Sequence, residues 1–162
     1  MHIARTRYDH PDAQKLDAEV QLEYARRYDT EGDATPLSPQ MFVPPKGLYL
    51  LAYDETERPV ATGGWRAMDQ DGEGYSDGDA EIKRMFVVPE ARGRGLARAI
   101  LAQLEADARA AGRTRMVLET GTKQPEAIAL YVSAGYEPCA KFGYYRCEPE
   151  SRCYAKPLHP LT

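Results

Sequence analysis

The stretch Val87-Val88-Pro89-Glu90-Ala91-Arg92-Gly93-Arg94-Gly95-Leu96-Ala97 leads from an apolar segment, Met85-Phe86-Val87-Val88, through an arginine- and glycine-rich turn into a run of helix-forming residues. Bare glycines at 93 and 95 let main-chain N–H groups approach a ligand closely. A helix that starts at Leu96 leaves its first donors unpaired and its N-terminus partly positive, and Arg92 and Arg94 can add guanidinium contacts. The combination predicts an anion cradle, with a phosphate as the expected guest. Two familiar phosphate fingerprints do not fit: a dinucleotide loop requires glycine where Arg98 stands, and a P-loop requires a Lys-Ser/Thr pair. What remains is Arg-x-x-Gly-x-Ala after an apolar strand.

Outward from this turn, Leu96, Ile100, Leu101, Leu104 and Ala108 form one apolar helix face, and Gly112 stands where a helix of that length would end. Upstream, Ala80 to Val88 reads as a strand. Leu48 to Tyr53 and Val60 to Arg66 read as two more, separated by a polar segment of hairpin length. Leu16, Val20, Tyr24 and Tyr28 recur every four residues, which predicts an amphipathic helix over Asp12 to Tyr28 behind an edge strand at His2 to Tyr8. Glu31 to Pro45 is a Pro-, Ser- and Asp-containing loop with room for a short helical turn. Downstream, Met116 to Glu119 is a strand, a short helix closes at Gly135, and the segments around Tyr136, Tyr144 to Cys147 and Arg152 to Lys156 are expected to supply the last strands. The length and the lack of a low-complexity or proline-rich linker predict a single domain, and the order β-α-β-β-β-α-β-α-β-β predicts an α/β mixture with a mostly antiparallel front half and a right-handed crossover from the third strand region to Met116.

The turn at Arg92 to Ala97 resembles the pyrophosphate-binding motif of the GCN5-related N-acetyltransferases. The resemblance extends to Gln124-Pro125-Glu126-Ala127-Ile128-Ala129-Leu130-Tyr131-Val132-Ser133-Ala134-Gly135-Tyr136, which is similar to that family's Asn-x-x-Ala-x-x-Leu-Tyr-x-x-x-Gly-Phe signature. It covers residues 80 to 140 in motif detail and the upstream half in element order. It implies a mixed, mostly antiparallel sheet flanked by helices, and acetyl-CoA as cosubstrate. It implies further that Arg92, Gly93, Arg94, Gly95, Leu96 and Ala97 hold the pyrophosphate. The main chain of Met85, Phe86 and Val87 would pair with the pantetheine as an added strand does. Gln124, in place of the usual asparagine, and Ala127 would complete that wall. Tyr131 would donate to the departing sulfur.

Acyl transfer to an amine also requires a base, because an alkylammonium of pKa about 10.4 lies about three units above neutral pH, a cost of about 4.6 kcal/mol. The family often places a carboxylate where Glu81 and Glu119 stand, so both are candidates. Charge on the thioester oxygen would be met by a main-chain N–H near Phe86 or Val87 if the strand bulges there. The acidic loop Asp69, Asp71, Glu73, Asp77 and Asp79 could draw a cationic acceptor or be an ordinary solvated loop. Trp65, Tyr144 and Tyr145 are candidates for the acceptor pocket or for packing.

Composition bounds the rest. The chain has 162 residues and a formal charge of −4, with no basic face except near Arg92, so nucleic acid is not an expected partner. No run of about 18 apolar residues occurs, so no membrane span is expected, and the N-terminus lacks a secretory pattern; a cytoplasmic protein is expected. Cys139, Cys147 and Cys153 match no common zinc or redox spacing and the three histidines sit near the termini, so no metal is assigned. The expected activity is acetyl-CoA-dependent N-acetylation of a small-molecule primary amine by direct attack in a ternary complex. A protein or peptide acceptor, or a non-catalytic acetyl-CoA-binding module, is the alternative, and a homodimer is allowed.

Overall fold

The computed structural model describes residues 1–30 and 32–160. Seven strands run β1 (His2–Thr6), β2 (Gly47–Tyr53), β3 (Pro59–Met68), β4 (Asp79–Val87), β5 (Arg115–Gly121), β6 (Glu137–Pro138) and β7 (Ser151–Pro157). Three helices, α1 (Pro11–Tyr28), α2 (Leu96–Ala110) and α3 (Pro125–Ser133), are interleaved with them. The strands form one sheet in the order β1-β2-β3-β4-β5-β7-β6. All neighbours are antiparallel except β4 and β5, which are parallel and joined through α2. The expected mixed α/β architecture is therefore present. The loop read from Glu31 to Pro45 contains a 3₁₀ turn at Pro39–Phe42; Glu31 itself lies outside the described residues.

Local sequence accounts for the helices. Pro11 occupies the first turn of α1, where its missing N–H costs nothing, and His10 Nδ1 accepts from the Asp12 N–H at 3.0 Å. In α2 the residues buried are Leu96, Ile100, Leu101, Leu104 and Ala108, the face predicted from their spacing, and Gly112 follows with φ +84°. Burying such a stripe contributes about 1.5–3 kcal/mol for each large apolar side chain, which is what fixes a helix that caps poorly at Gly95.

One expected strand is absent. Tyr144 to Cys147 is a series of turns: Gly143 has φ +81°, the Arg146 N–H donates to the Gly143 carbonyl at 3.2 Å, and the Glu148 N–H donates to that of Tyr145 at 3.0 Å. The physical reason is occupancy, since β7 already pairs with β5 on one side and with β6 on the other.

Two irregularities in the sheet position the site. First, β4 and β5 pair over only three residues each, Asp79–Glu81 with Arg115–Val117, and then separate while β4 continues to Val87 and β5 to Gly121. The separation leaves a slot between two strands with unpaired backbone edges. Second, the β3–β4 register jumps: Gly64 pairs with Lys83 but Thr62 pairs with Phe86, so Arg84 and Met85 together oppose Gly63. Arg84 has φ +60°, left-handed geometry for a non-glycine residue. This is a β-bulge, one residue or more before the place the sequence suggested.

Candidate active site

A large cavity of about 800 Å³ opens on the separated ends of β4 and β5. A smaller recess of about 310 Å³ lies beside it against the start of α2. Met85, Gln124, Ala127 and Tyr131 line both, so the two meet at these four residues.

The recess gathers most of the predicted cofactor residues. Met85, Phe86 and Val87 form its strand side, and Arg92, Gly93, Gly95, Leu96 and Ala97 its turn and helix side. Gly93 and Gly95 have φ +81° and +76°, which glycine adopts without strain, and a Cβ on either would meet nothing within 4 Å. Their role is therefore conformational, and the space in front of them is open to a ligand. Arg94 is exposed and stands outside the lining. The Arg92 side chain is already engaged: Nε donates to the Val87 carbonyl at 3.0 Å, Nη2 donates to Glu23 Oε1 at 3.0 Å, and the guanidinium sits 5.9 Å from the centre of the Phe86 ring. It ties the turn to the end of β4 and to α1. The unpaired donors of the first turn of α2, an open glycine turn and a strand edge leading away from them fit an elongated ligand with a phosphate end and an amide-bearing arm.

Gln124 spends its side-chain amide locally. Its Nε2 donates to the Tyr28 hydroxyl at 3.3 Å, and the Lys123 N–H donates to the same oxygen at 3.2 Å. The Tyr28 side chain lies so close over Gly121 that a Cβ there would displace it. The end of α1 is thus fastened to the end of β5 and the start of α3.

Tyr131, on α3, is 5 % exposed. Among the described residues its hydroxyl has no hydrogen-bond partner, and burial alone pushes its pKa above the ordinary tyrosine value. Its ring packs edge-on to Tyr136 at 5.6 Å, and the Tyr136 hydroxyl donates to Glu105 Oε2 at 2.8 Å, which fixes the ring from behind. A protonated phenol therefore stands at the junction of the two chambers.

Glu119, on β5, lines the large cavity. Burial pushes its pKa up, opposed by the charge of Lys83 and by the Ser151 hydroxyl, which donates to Oε1 at 2.9 Å. Glu81 does not join it. That carboxylate is 2 % exposed and lies outside the cavity lining. Oε1 accepts from Arg66 Nε at 2.8 Å and Oε2 accepts from the Tyr75 hydroxyl at 2.9 Å. Both oxygens are engaged by Arg66 and Tyr75, so of the two expected bases the structure brings Glu119, and not Glu81, to the cavity. The other expected pocket features divide similarly. Trp65 is fully buried with Nε1 donating to Asp107 Oδ2 at 2.9 Å, so it belongs to the core, whereas Tyr144 and Tyr145 do line the cavity. The acidic loop is consumed by its own contacts: Asp69 with Arg113, Glu73 with Arg146 and buried Asp79 with Arg115.

The sequence reading missed a buried ionic cluster beneath the cavity. Arg84, 5 % exposed, donates from Nε to Asp17 Oδ1 and from Nη1 to Asp33 Oδ2, each at 2.6 Å. Lys83 Nζ is 3.4 Å from the same Asp33 oxygen. Burial alone would raise the Asp33 pKa, but Lys83 and Arg84 outweigh it and hold the carboxyl well below the usual range. The one signal available in advance was the position of Asp33 in a long loop of a kind that often forms sites.

With this geometry in hand, comparison with known proteins gives a consistent result. Residues 11–136 match the Acetyltransferase (GNAT) family, and the chain belongs to that family. An IAA acetyltransferase of Azospirillum brasilense is 45 % identical over 92 residues, 57 % of each chain, so the match spans little more than half of that relative. A Klebsiella pneumoniae protein provisionally named an acyl-CoA N-acyltransferase superposes with a TM-score of 0.78 at 28 % identity, covering 98 % of this chain and 97 % of the other. A phosphinothricin acetyltransferase of Sinorhizobium meliloti, solved in complex with AcCoA, has the same fold with a TM-score of 0.65 at 20 % identity over 98 % and 89 % of the two chains. No helix of the described residues is long and apolar enough to cross a membrane.

Proposed function

We propose that the protein is an acetyl-CoA-dependent N-acetyltransferase that acylates a primary amine of a small molecule by direct attack. The observation that carries this reading is Tyr131: its ring is buried, and its hydroxyl has no hydrogen-bond partner among the described residues, at the point where a phosphate-suited recess meets a second, larger chamber. The recess holds the cosubstrate through the α2 N-terminus, Gly93, Gly95 and the edge of Met85 to Val87, and acetyl-CoA supplies the activated acyl group when bound. The larger chamber takes the acceptor. Glu119 accepts the amine's proton, directly or through water, and its raised pKa suits that task. The Tyr131 hydroxyl holds the proton needed by the departing thiolate. The bulge at Arg84 and Met85 releases backbone donors from the β3–β4 ladder beside the junction, which is how charge on the carbonyl oxygen would be met.

A small acceptor is favoured over a protein chain because two loops that line the chamber are tied to each other. The Ala34 N–H donates to the Tyr145 hydroxyl at 2.7 Å, joining the two loops that line it. A thiol-release assay with acetyl-CoA over amines, amino acids, aminoglycosides and peptides tests the proposal. Turnover of small amines is the expected result; turnover confined to peptides, or coenzyme A binding with no turnover of any acceptor, contradicts it.

A further inference from the structure

Resting on that assignment of the larger chamber, we propose that it selects an acceptor that enters as a cation and carries no carboxylate beside the reacting nitrogen, that is, an alkyl- or arylalkylamine and not an α-amino acid. The charges that meet beneath the cavity do not balance. Three carboxylates, Asp17, Asp33 and Glu119, face two cations, Lys83 and Arg84. Arg66 and Glu81 form a closed pair and drop out of the count. Arg84 divides its two short bonds between Asp17 and Asp33, and Lys83 makes its ion pair with Asp33 as well. Glu119 is left with a neutral hydroxyl, Ser151, as its hydrogen-bond partner, and among the described residues no cation lies within ion-pair distance of it. Once Glu119 is ionised the cluster therefore sums to one excess negative charge: Lys83 acts on Glu119 from a distance but is bonded to Asp33, and Glu119 has no ion-pair partner of its own among the described residues.

A buried charge without a counter-ion is costly, and a ligand ammonium relieves that cost where a neutral ligand would not. An α-carboxylate would arrive bonded to the carbon next to the nitrogen, so it could not avoid the same region. There it would face Asp33 and Glu119, with Lys83 already shared. The mouth repeats the sign: Glu148 and Glu150 line it, and Lys123, 3.7 Å from Glu150, offsets one of the two. Tyr24, Tyr28, Tyr144 and Tyr145 supply the walls, surfaces that accept methylene or ring skeletons and the flank of a cation.

The test uses matched pairs that differ only in the carboxylate: phenethylamine against phenylalanine, and pentylamine against norleucine. Each is titrated calorimetrically into the coenzyme A-loaded protein and assayed for thiol release. The expected result is binding of the amine tighter than that of its amino acid by at least about tenfold, with the preference shrinking to near unity in Glu119→Gln, which removes the unpaired charge. Amino acids binding as tightly as their amines, or no cationic amine binding at all, would overturn the inference. The wild-type pairs decide the matter even if the variant folds poorly. Selective amine binding without transfer would uphold this inference and count against the proposed reaction.

Discussion

Arg84 Nη1 donates to Asp33 Oδ2 at 2.6 Å, and this bond fastens the bulge of β4 to the loop that borders the acceptor chamber. A non-glycine residue at φ +60° costs on the order of 1–3 kcal/mol, and the two charge-assisted bonds of Arg84 offset it. Removing one partner leaves the other charged and buried. Arg84→Ala should therefore destabilise the fold by about 3–5 kcal/mol, and the Arg84/Asp33 double-mutant cycle should show strong coupling in chemical denaturation. Additive single-variant effects would contradict the clamp. Asp33 also sets a pH dependence. Its folded pKa lies below its unfolded value, so its stabilisation is present above the ordinary carboxylate range and is lost as pH falls towards the folded value. Asp33→Asn should flatten the acid limb of the stability profile.

The glycine turn makes a second prediction. Because a Cβ at Gly93 or Gly95 meets nothing within 4 Å, substitution there acts through the positive φ and not through a clash in the free protein. Alanine at either position should shift the turn and the first donors of α2. Coenzyme A affinity should then fall by about tenfold or more while the melting temperature changes by only a few degrees. Wild-type affinity in both variants would remove the turn from the cofactor site.

Glu119 gives the third. Its pKa is raised in the folded protein, so the ionised form needed of a base is reached only above the ordinary glutamate range. The rate should climb as pH rises through that raised value. Glu119→Gln should abolish this limb, lose rate near neutrality and recover part of it at alkaline pH as free amine accumulates. The stability consequence has the opposite sign to that of Asp33: a raised carboxylate disfavours the fold once both states are ionised. The glutamine variant should therefore be at least as stable as wild type at neutral pH, and an unchanged pH–rate profile would take the base role from Glu119.

What the sequence made legible was what it encodes locally. The apolar face of α2, the turn at Gly93 and Gly95, and the Leu130-Tyr131 to Gly135 helix end are each read from residues within one or two turns of one another. What was not legible is set by distant partners. Nothing near Glu81 in the chain announces that Arg66 and Tyr75 will occupy both its oxygens. Nothing near Tyr144 says that β6 will take the edge of β7 on which another strand would have paired. The place of Arg84 depends on Asp17 and Asp33, 67 and 51 residues away. Gln124 matched a motif position, yet its amide is bonded to Tyr28 at the far end of α1.

The proposed mechanism stands most directly on the Tyr131 hydroxyl. Tyr131→Phe removes the oxygen and keeps the ring packed against Tyr136, so fold and coenzyme A affinity should change little. Single-turnover acetyl transfer, followed by rapid quench with acetyl-CoA and a reactive amine in excess, isolates the chemical step. The account predicts a loss of about 10²-fold or more in that step. An undiminished single-turnover rate in the Phe variant would contradict it.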